Sequence, residues 1–114
     1  MAFALITLYR LQQKQTRRRY MHVREFDRGD GRGEVGKLAL WGLVKEAPND
    51  DTAKRTSGMW STTQFGRDFV VGIELVPKYI LLSYGSSVRG FAGPPVAITD
   101  CLGTRFNYQE LMAR

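Results

Sequence analysis

The run Leu38-Ala39-Leu40-Trp41-Gly42-Leu43-Val44-Lys45-Glu46, followed by Asn49-Asp50-Asp51 and by Lys54-Arg55-Thr56-Ser57-Gly58-Met59-Trp60-Ser61-Thr62-Thr63-Gln64-Phe65-Gly66, decides how this chain is read. Its start belongs to a helix predicted over Glu34 to Leu43. Val35, Leu38 and Ala39 form an i, i+3, i+4 apolar stripe, and Lys37 and Trp41 fall one turn apart on another face. Gly42 supplies the helix stop, because glycine accepts the left-handed backbone of a C-terminal cap. Leu43 to Glu46 then reads as a strand, Pro48-Asn49-Asp50-Asp51 as turn chemistry, and Gly58 to Ser61 as the returning strand. The result is a hairpin with a long polar tip over about residues 48–57, carrying Lys54 and Arg55 and the hydroxyls of Thr52, Thr56 and Ser57. Ser61-Thr62-Thr63-Gln64 has capping-box spacing, with Ser61 expected to cap and Gln64 to reach back. Phe65, Phe69 and Val70 are the expected buried stripe of the helix that follows, and Gly72 ends it.

Upstream, Ala2 to about Gln15 is a predicted helix. Leu5, Leu8, Tyr9 and Gln12 keep i, i+3, i+4, i+7 spacing, and Phe3, Ile6 and Leu11 widen the face. Lys14, Arg17, Arg18 and Arg19 crowd its C-terminal end, where cations complement the helix dipole. Tyr20 to Val23 reads as a short strand and Arg24 to Arg32 as a turn or distorted helix leading into a loop. The order is therefore helix, short strand, helix, helix, strand, long basic loop, strand, helix.

That order is the winged-helix order, and Leu38 to Gly66 resembles the recognition helix, wing and following helix of winged helix-turn-helix regulators of the MarR type. The Gly42-Leu43-Val44 step stands where that family ends its recognition helix. Ser61-Thr62-Thr63-Gln64-Phe65-Gly66 stands where its next helix starts. The stretches Phe69-Val70-Val71-Gly72, Val76-Pro77-Lys78-Tyr79 and Phe106-Asn107-Tyr108-Gln109-Glu110-Leu111-Met112 are similar to small uncharacterised phage and prophage proteins. Many of those carry a Cys-rich segment upstream that this chain lacks. The resemblance implies an α+β winged helix-turn-helix core over residues 1–72, with a C-terminal β-hairpin and short terminal helix over 73–114 packed on the same domain.

Within that C-terminal part, Val76 to Ser83 and Val88 to Phe91 flank Tyr84-Gly85-Ser86 and read as a hairpin. Gly93-Pro94-Pro95 reads as a break and Val96-Ala97-Ile98 as a last strand. Thr99 or Asp100 is expected to cap a helical turn, and Asn107 to cap a terminal helix ending near Met112.

Composition sets the outer bounds. The 114 residues carry a net charge of +6, with 43% hydrophobic and 25% charged residues, as an ordinary globular domain does. Residues 1–57 hold 12 basic and 7 acidic side chains, while residues 58–114 hold 5 and 4, so the positive excess lies in the first half. A nucleic-acid face is therefore expected there. The single cysteine, Cys101, makes no internal disulfide and is expected to be a small buried residue in a reducing compartment. No signal peptide or membrane span is read in the N-terminal apolar run, which reaches Arg10 too soon, so a cytoplasmic location is expected, the host cytoplasm if a phage encodes the chain.

For double-stranded DNA, Arg32, Lys37 and Trp41 are the candidates on or near the recognition helix, with Glu34 beside them, and Lys54 and Arg55 are the candidates on the wing. Arg17, Arg18 and Arg19 are placed to grip the phosphate backbone. The three basic clusters are expected to share one face. The helix offers few base-reading side chains, however, and an exposed Trp41 also suits a protein interface. The alternative is thus an interaction module that binds a host protein complex, and the unpaired strand edges of the C-terminal hairpin suit a homodimer.

No enzyme is read. His22 has no second histidine or cysteine nearby for a metal, and Cys101 has no adjacent base. Gly29-Asp30-Gly31-Arg32-Gly33 lacks the Lys-Ser/Thr ending of a phosphate loop. No cofactor is expected.

Overall fold

The computed structural model describes residues 1–27, 34–49, 57–83, 87–102 and 106–113. It is an α+β protein with two small antiparallel sheets. In chain order the elements are α1 (Ala2–Lys14), β1 (Met21–His22), α2 (Val23–Phe26), α3 (Glu34–Leu40), β2 (Val44–Glu46), β3 (Met59–Thr62), α4 (Gln64–Val70), β4 (Val76–Leu82), β5 (Val88–Val96), α5 (Ile98–Leu102) and α6 (Tyr108–Ala113).

The first sheet has the order β1-β3-β2. Met21 pairs with Trp60, and Val44, Lys45 and Glu46 pair with Thr62, Ser61 and Trp60. Directly paired residues share a face, so Met21, Val44, Trp60 and Thr62 turn inward and Lys45 and Ser61 lie on the other side. α1 is the central element and packs on α2 to α6 and on β1 and β3. Its Leu5, Ile6 and Leu8 are almost wholly buried, as the helical spacing of the apolar residues predicts. The core is continuous from Leu5 and Phe26 through Val35, Leu38, Trp60 and Phe69 to Val76, Ile98, Leu102 and Leu111. It therefore includes residues from both sides of position 72.

Two glycines act as helix stops. Gly42 and Gly72 take φ of +77° and +88° immediately after α3 and α4. Gly66 has a different role. A Cβ there would lie 1.9 Å from the Leu43 carbonyl oxygen, so only glycine lets the first turn of α4 rest on the start of β2.

Four expectations change. Thr63, not Ser61, caps α4: its hydroxyl accepts from the Gly66 N–H at 2.9 Å and donates to the Gly42 carbonyl. Ser61 and Thr62 are held in the β3 ladder opposite Lys45 and Val44, which leaves Thr63 as the first residue free to cap. Gly93-Pro94-Pro95 does not break the second hairpin. β5 runs through it, with the extra residue taken up by an irregular register between Pro77 and Tyr79 and by a φ of +84° at Gly93. Ile98 accordingly opens α5 rather than closing a strand, and the Asp100 carboxylate accepts the Ala97 N–H at 2.8 Å. Cys101 is exposed on α5 rather than buried, and partial desolvation beside Asp100 raises its thiol above the usual range.

The expected Asn107 cap is present, its side-chain oxygen accepting the Glu110 N–H at 3.0 Å. The distorted helix expected after the short strand is α2. His22 Nδ1 accepts from the Arg24 N–H, and the Glu25 carboxylate accepts from the His22 N–H.

Candidate nucleic-acid interface

A basic groove of about 380 Å³ lies between the end of α1, the turn after it, β2 and β3, and α4. Arg18, Arg19, Lys45 and Arg67 line it together with Gln12, Gln13, Thr16 and other polar groups, and no acidic side chain among the described residues does.

Each cation is placed by a local feature of the sequence. Arg18 and Arg19 follow α1 in the turn that leads to β1. Lys45 is exposed on β2, paired with Ser61 and on the other side of the strand from buried Val44. Arg67 lies in α4, half-buried, and its guanidinium donates to the Thr62 carbonyl at 2.9 Å and to Gln64 at 3.1 Å. Arg19 and Lys45 are exposed.

Gln12 forms the floor. Its side-chain oxygen accepts from the Thr62 N–H at 2.9 Å and the Thr62 hydroxyl at 2.6 Å, while its amide donates to the Ser61 hydroxyl at 2.8 Å and the Arg19 carbonyl at 3.0 Å. β1 is only two residues long and leaves this end of β3 unpaired on that side. Gln12 fills the place of the missing strand and in doing so ties Arg19 to the sheet.

Arg18 is the least available of the four. It forms a two-pronged pair with Glu25 at 2.7 and 2.8 Å. That hydrogen bond, with a second from the His22 N–H, holds the Glu25 carboxyl down to about 2.

The other expected residues are distributed differently. Arg17 is exposed in the same turn. Lys37 is exposed on α3. Lys37 does not line the groove. Trp41 is half-buried against the core, and its indole N–H donates to the Pro77 carbonyl at 2.9 Å, joining the end of α3 to the base of the second hairpin. It is thus a fastening between the two parts rather than an open contact. Arg32, Lys54 and Arg55, with Thr52 and Thr56, lie outside the described residues.

Sequence reasoning missed Lys45 and Arg67. Each is a solitary cation in its own stretch. For Lys45 the signal is its place opposite Val44 in a two-residue period; no local signal marks Arg67.

Among the described residues no three of His, Cys, Asp and Glu are grouped to hold a metal, and no helix is long and apolar enough to cross a membrane. No family model, curated protein or solved structure matches the chain.

Proposed function

We propose that this chain is a winged-helix protein that binds double-stranded nucleic acid, in the manner of a small regulator, with DNA as the first-choice duplex. The observation that carries the reading is the groove of Arg18, Arg19, Lys45 and Arg67, which holds four cations and no acid among the described residues. Such a surface attracts a polyanion and releases its counterions on contact. Guanidinium groups suit phosphate oxygens because their donors are planar and paired.

The winged-helix assignment is supported by the order α1-β1-α2-α3-β2-β3-α4 and by a sheet in which β3 lies between β1 and β2. In that arrangement α3 is the reading helix, with exposed Lys37 on its contact face. This face is small, and backbone contact through the groove therefore carries more of the affinity than base readout does.

A gel-shift titration of a mixed-sequence duplex at low ionic strength tests the proposal. Retarded complexes are expected. Their complete absence across the titration refutes it. The interaction-module alternative draws its support from a different surface, the exposed apolar hairpin of β4 and β5.

A further inference from the structure

Glu25 stands beside the groove and occupies one of its cations. Both terminal nitrogens of Arg18 donate to it, Nη1 to Oε1 at 2.8 Å and Nη2 to Oε2 at 2.7 Å. Two parallel N–H···O bonds to a pair of oxygens are also how a guanidinium holds a phosphate. The carboxylate therefore fills the edge of Arg18 that a phosphate would take. Gln15 accepts a further bond from Nη1 at 2.9 Å, which steadies the guanidinium in that pose. Arg19, Lys45 and Arg67, the other cations of the groove, form no ion pair among the described residues.

The two partners are not equally free to move. Glu25 is fixed from its own side. Its Oε2 also accepts the His22 N–H at 2.9 Å and completes the capping box of α2, and the next residue, Phe26, is in the core. Arg18 is a long side chain in the turn between α1 and β1. Separation of the pair thus moves Arg18 and leaves the cap of α2 in place. The pair also reaches solvent, with 41% of the Arg18 side chain and 34% of the Glu25 side chain exposed. An exposed pair is weak and screened, so an incoming phosphate can compete for Arg18, whereas breaking a buried pair is far more costly.

We infer that Glu25 is a built-in stand-in for phosphate, which withholds Arg18 from a phosphate ligand of the groove and so sets the affinity for it. The inference rests on the reading of the groove as a phosphate site. A phosphate must displace the carboxylate before Arg18 can serve it, and a groove restrained in this way binds less tightly than its four cations allow.

Glu25→Gln tests it. Its amide oxygen still accepts the His22 N–H, since glutamine serves a capping box as glutamate does, but the uncharged side chain no longer holds Arg18. Inorganic pyrophosphate is the first probe, titrated at constant ionic strength while the Arg18 Nε–H signal is followed by NMR. Glu25→Gln is expected to reach half-saturation at a concentration about three- to fivefold lower than the wild type, the most that an exposed ion pair withholds. Equal half-saturation in the two proteins, or no saturation in either, overturns the inference whatever a duplex does. The mixed-sequence duplex is the second probe, compared across wild type, Glu25→Gln, Arg18→Gln and the double variant. Glu25→Gln is expected to bind it more tightly by a similar factor, and more than half of that gain is expected to vanish where Arg18 is glutamine. A damaged fold weakens binding, so a gain is not a side effect of structural loss. No gain on a duplex that binds, or a gain that keeps half or more of its size without Arg18, overturns the inference. If pyrophosphate separates the two proteins and no duplex binds either of them, the duplex reading fails and the hold of Glu25 on Arg18 stands.

Discussion

Gln12 and Thr62, fifty positions apart, are joined by two hydrogen bonds to one oxygen, from the Thr62 N–H at 2.9 Å and from its hydroxyl at 2.6 Å. Thr62 is buried, so its N–H has no water to turn to. Gln12→Leu, which keeps the bulk and removes the acceptor, is expected to destabilise the fold by about 1–3 kcal/mol, the usual penalty for stranding a buried polar group. Urea denaturation checks this. An unchanged midpoint shows that the pairing does not hold α1 to β3.

Gly66 is the second point of close approach. The Leu43 carbonyl stands 1.9 Å from where a Cβ would be, and a backbone atom cannot turn aside as a side chain does. Gly66→Ala is expected to destabilise by about 3 kcal/mol, at the upper end for overpacked sites. The stability curve of the variant measures it, and a loss below about 0.5 kcal/mol, the scale of ordinary surface substitutions, contradicts the packing described.

Trp41→Phe keeps the ring against the core and removes the indole N–H that reaches the Pro77 carbonyl. A loss of about 1 kcal/mol is expected, the net worth of an ordinary hydrogen bond. Amide exchange in β4 is expected to quicken, since the base of the hairpin loses its fastening. Unaltered exchange at Tyr79 to Leu82 refutes the fastening role.

Glu25 titrates well below other carboxylates because Arg18 and the His22 N–H both donate to its ionised form. Its value falls from an ordinary 4.5 to about 2 on folding. The unfolded chain therefore takes up this proton first. The stabilisation is complete above the ordinary value and disappears as pH falls through about 2. The effect on stability is small, because both side chains reach solvent, which screens the pair. An NMR titration of the Glu25 side chain is expected to place its midpoint near 2, and Arg18→Gln to move it upward. A wild-type midpoint at the ordinary value contradicts the pairing.

What the sequence discloses and what it hides divide along the range of the forces involved. The α1 stripe of Leu5, Leu8 and Tyr9, the stops at Gly42 and Gly72, and the cap at Asn107 are local patterns, and each lies where its spacing predicts. Ser61 and Thr63 are separable only through the ladder to β2, since three hydroxyl residues in a row carry the same local signal. The Gly93-Pro94-Pro95 stretch looks like a break because prolines lack donors, yet a hairpin with open edges has places where no donor is needed. The groove is half legible. Arg18 and Arg19 announce themselves as a run, whereas Lys45 and Arg67 join them only through the packing of α1 and α4 around the end of β3. The helical position of Trp41 leaves its exposure undecided, because its partner, the Pro77 carbonyl, is a backbone atom 36 positions away.

The central claim is that this basic groove grips nucleic-acid phosphates, and the salt dependence of duplex affinity tests it most directly. Fluorescence anisotropy with a short labelled duplex is measured across a salt series for the wild type and for the double variant Arg19→Gln, Lys45→Gln. Affinity is expected to fall linearly in logarithmic coordinates. The double variant is expected to bind more weakly, with a slope shallower by about two, one for each phosphate it no longer neutralises. A double variant whose affinity and slope equal those of the wild type contradicts the account.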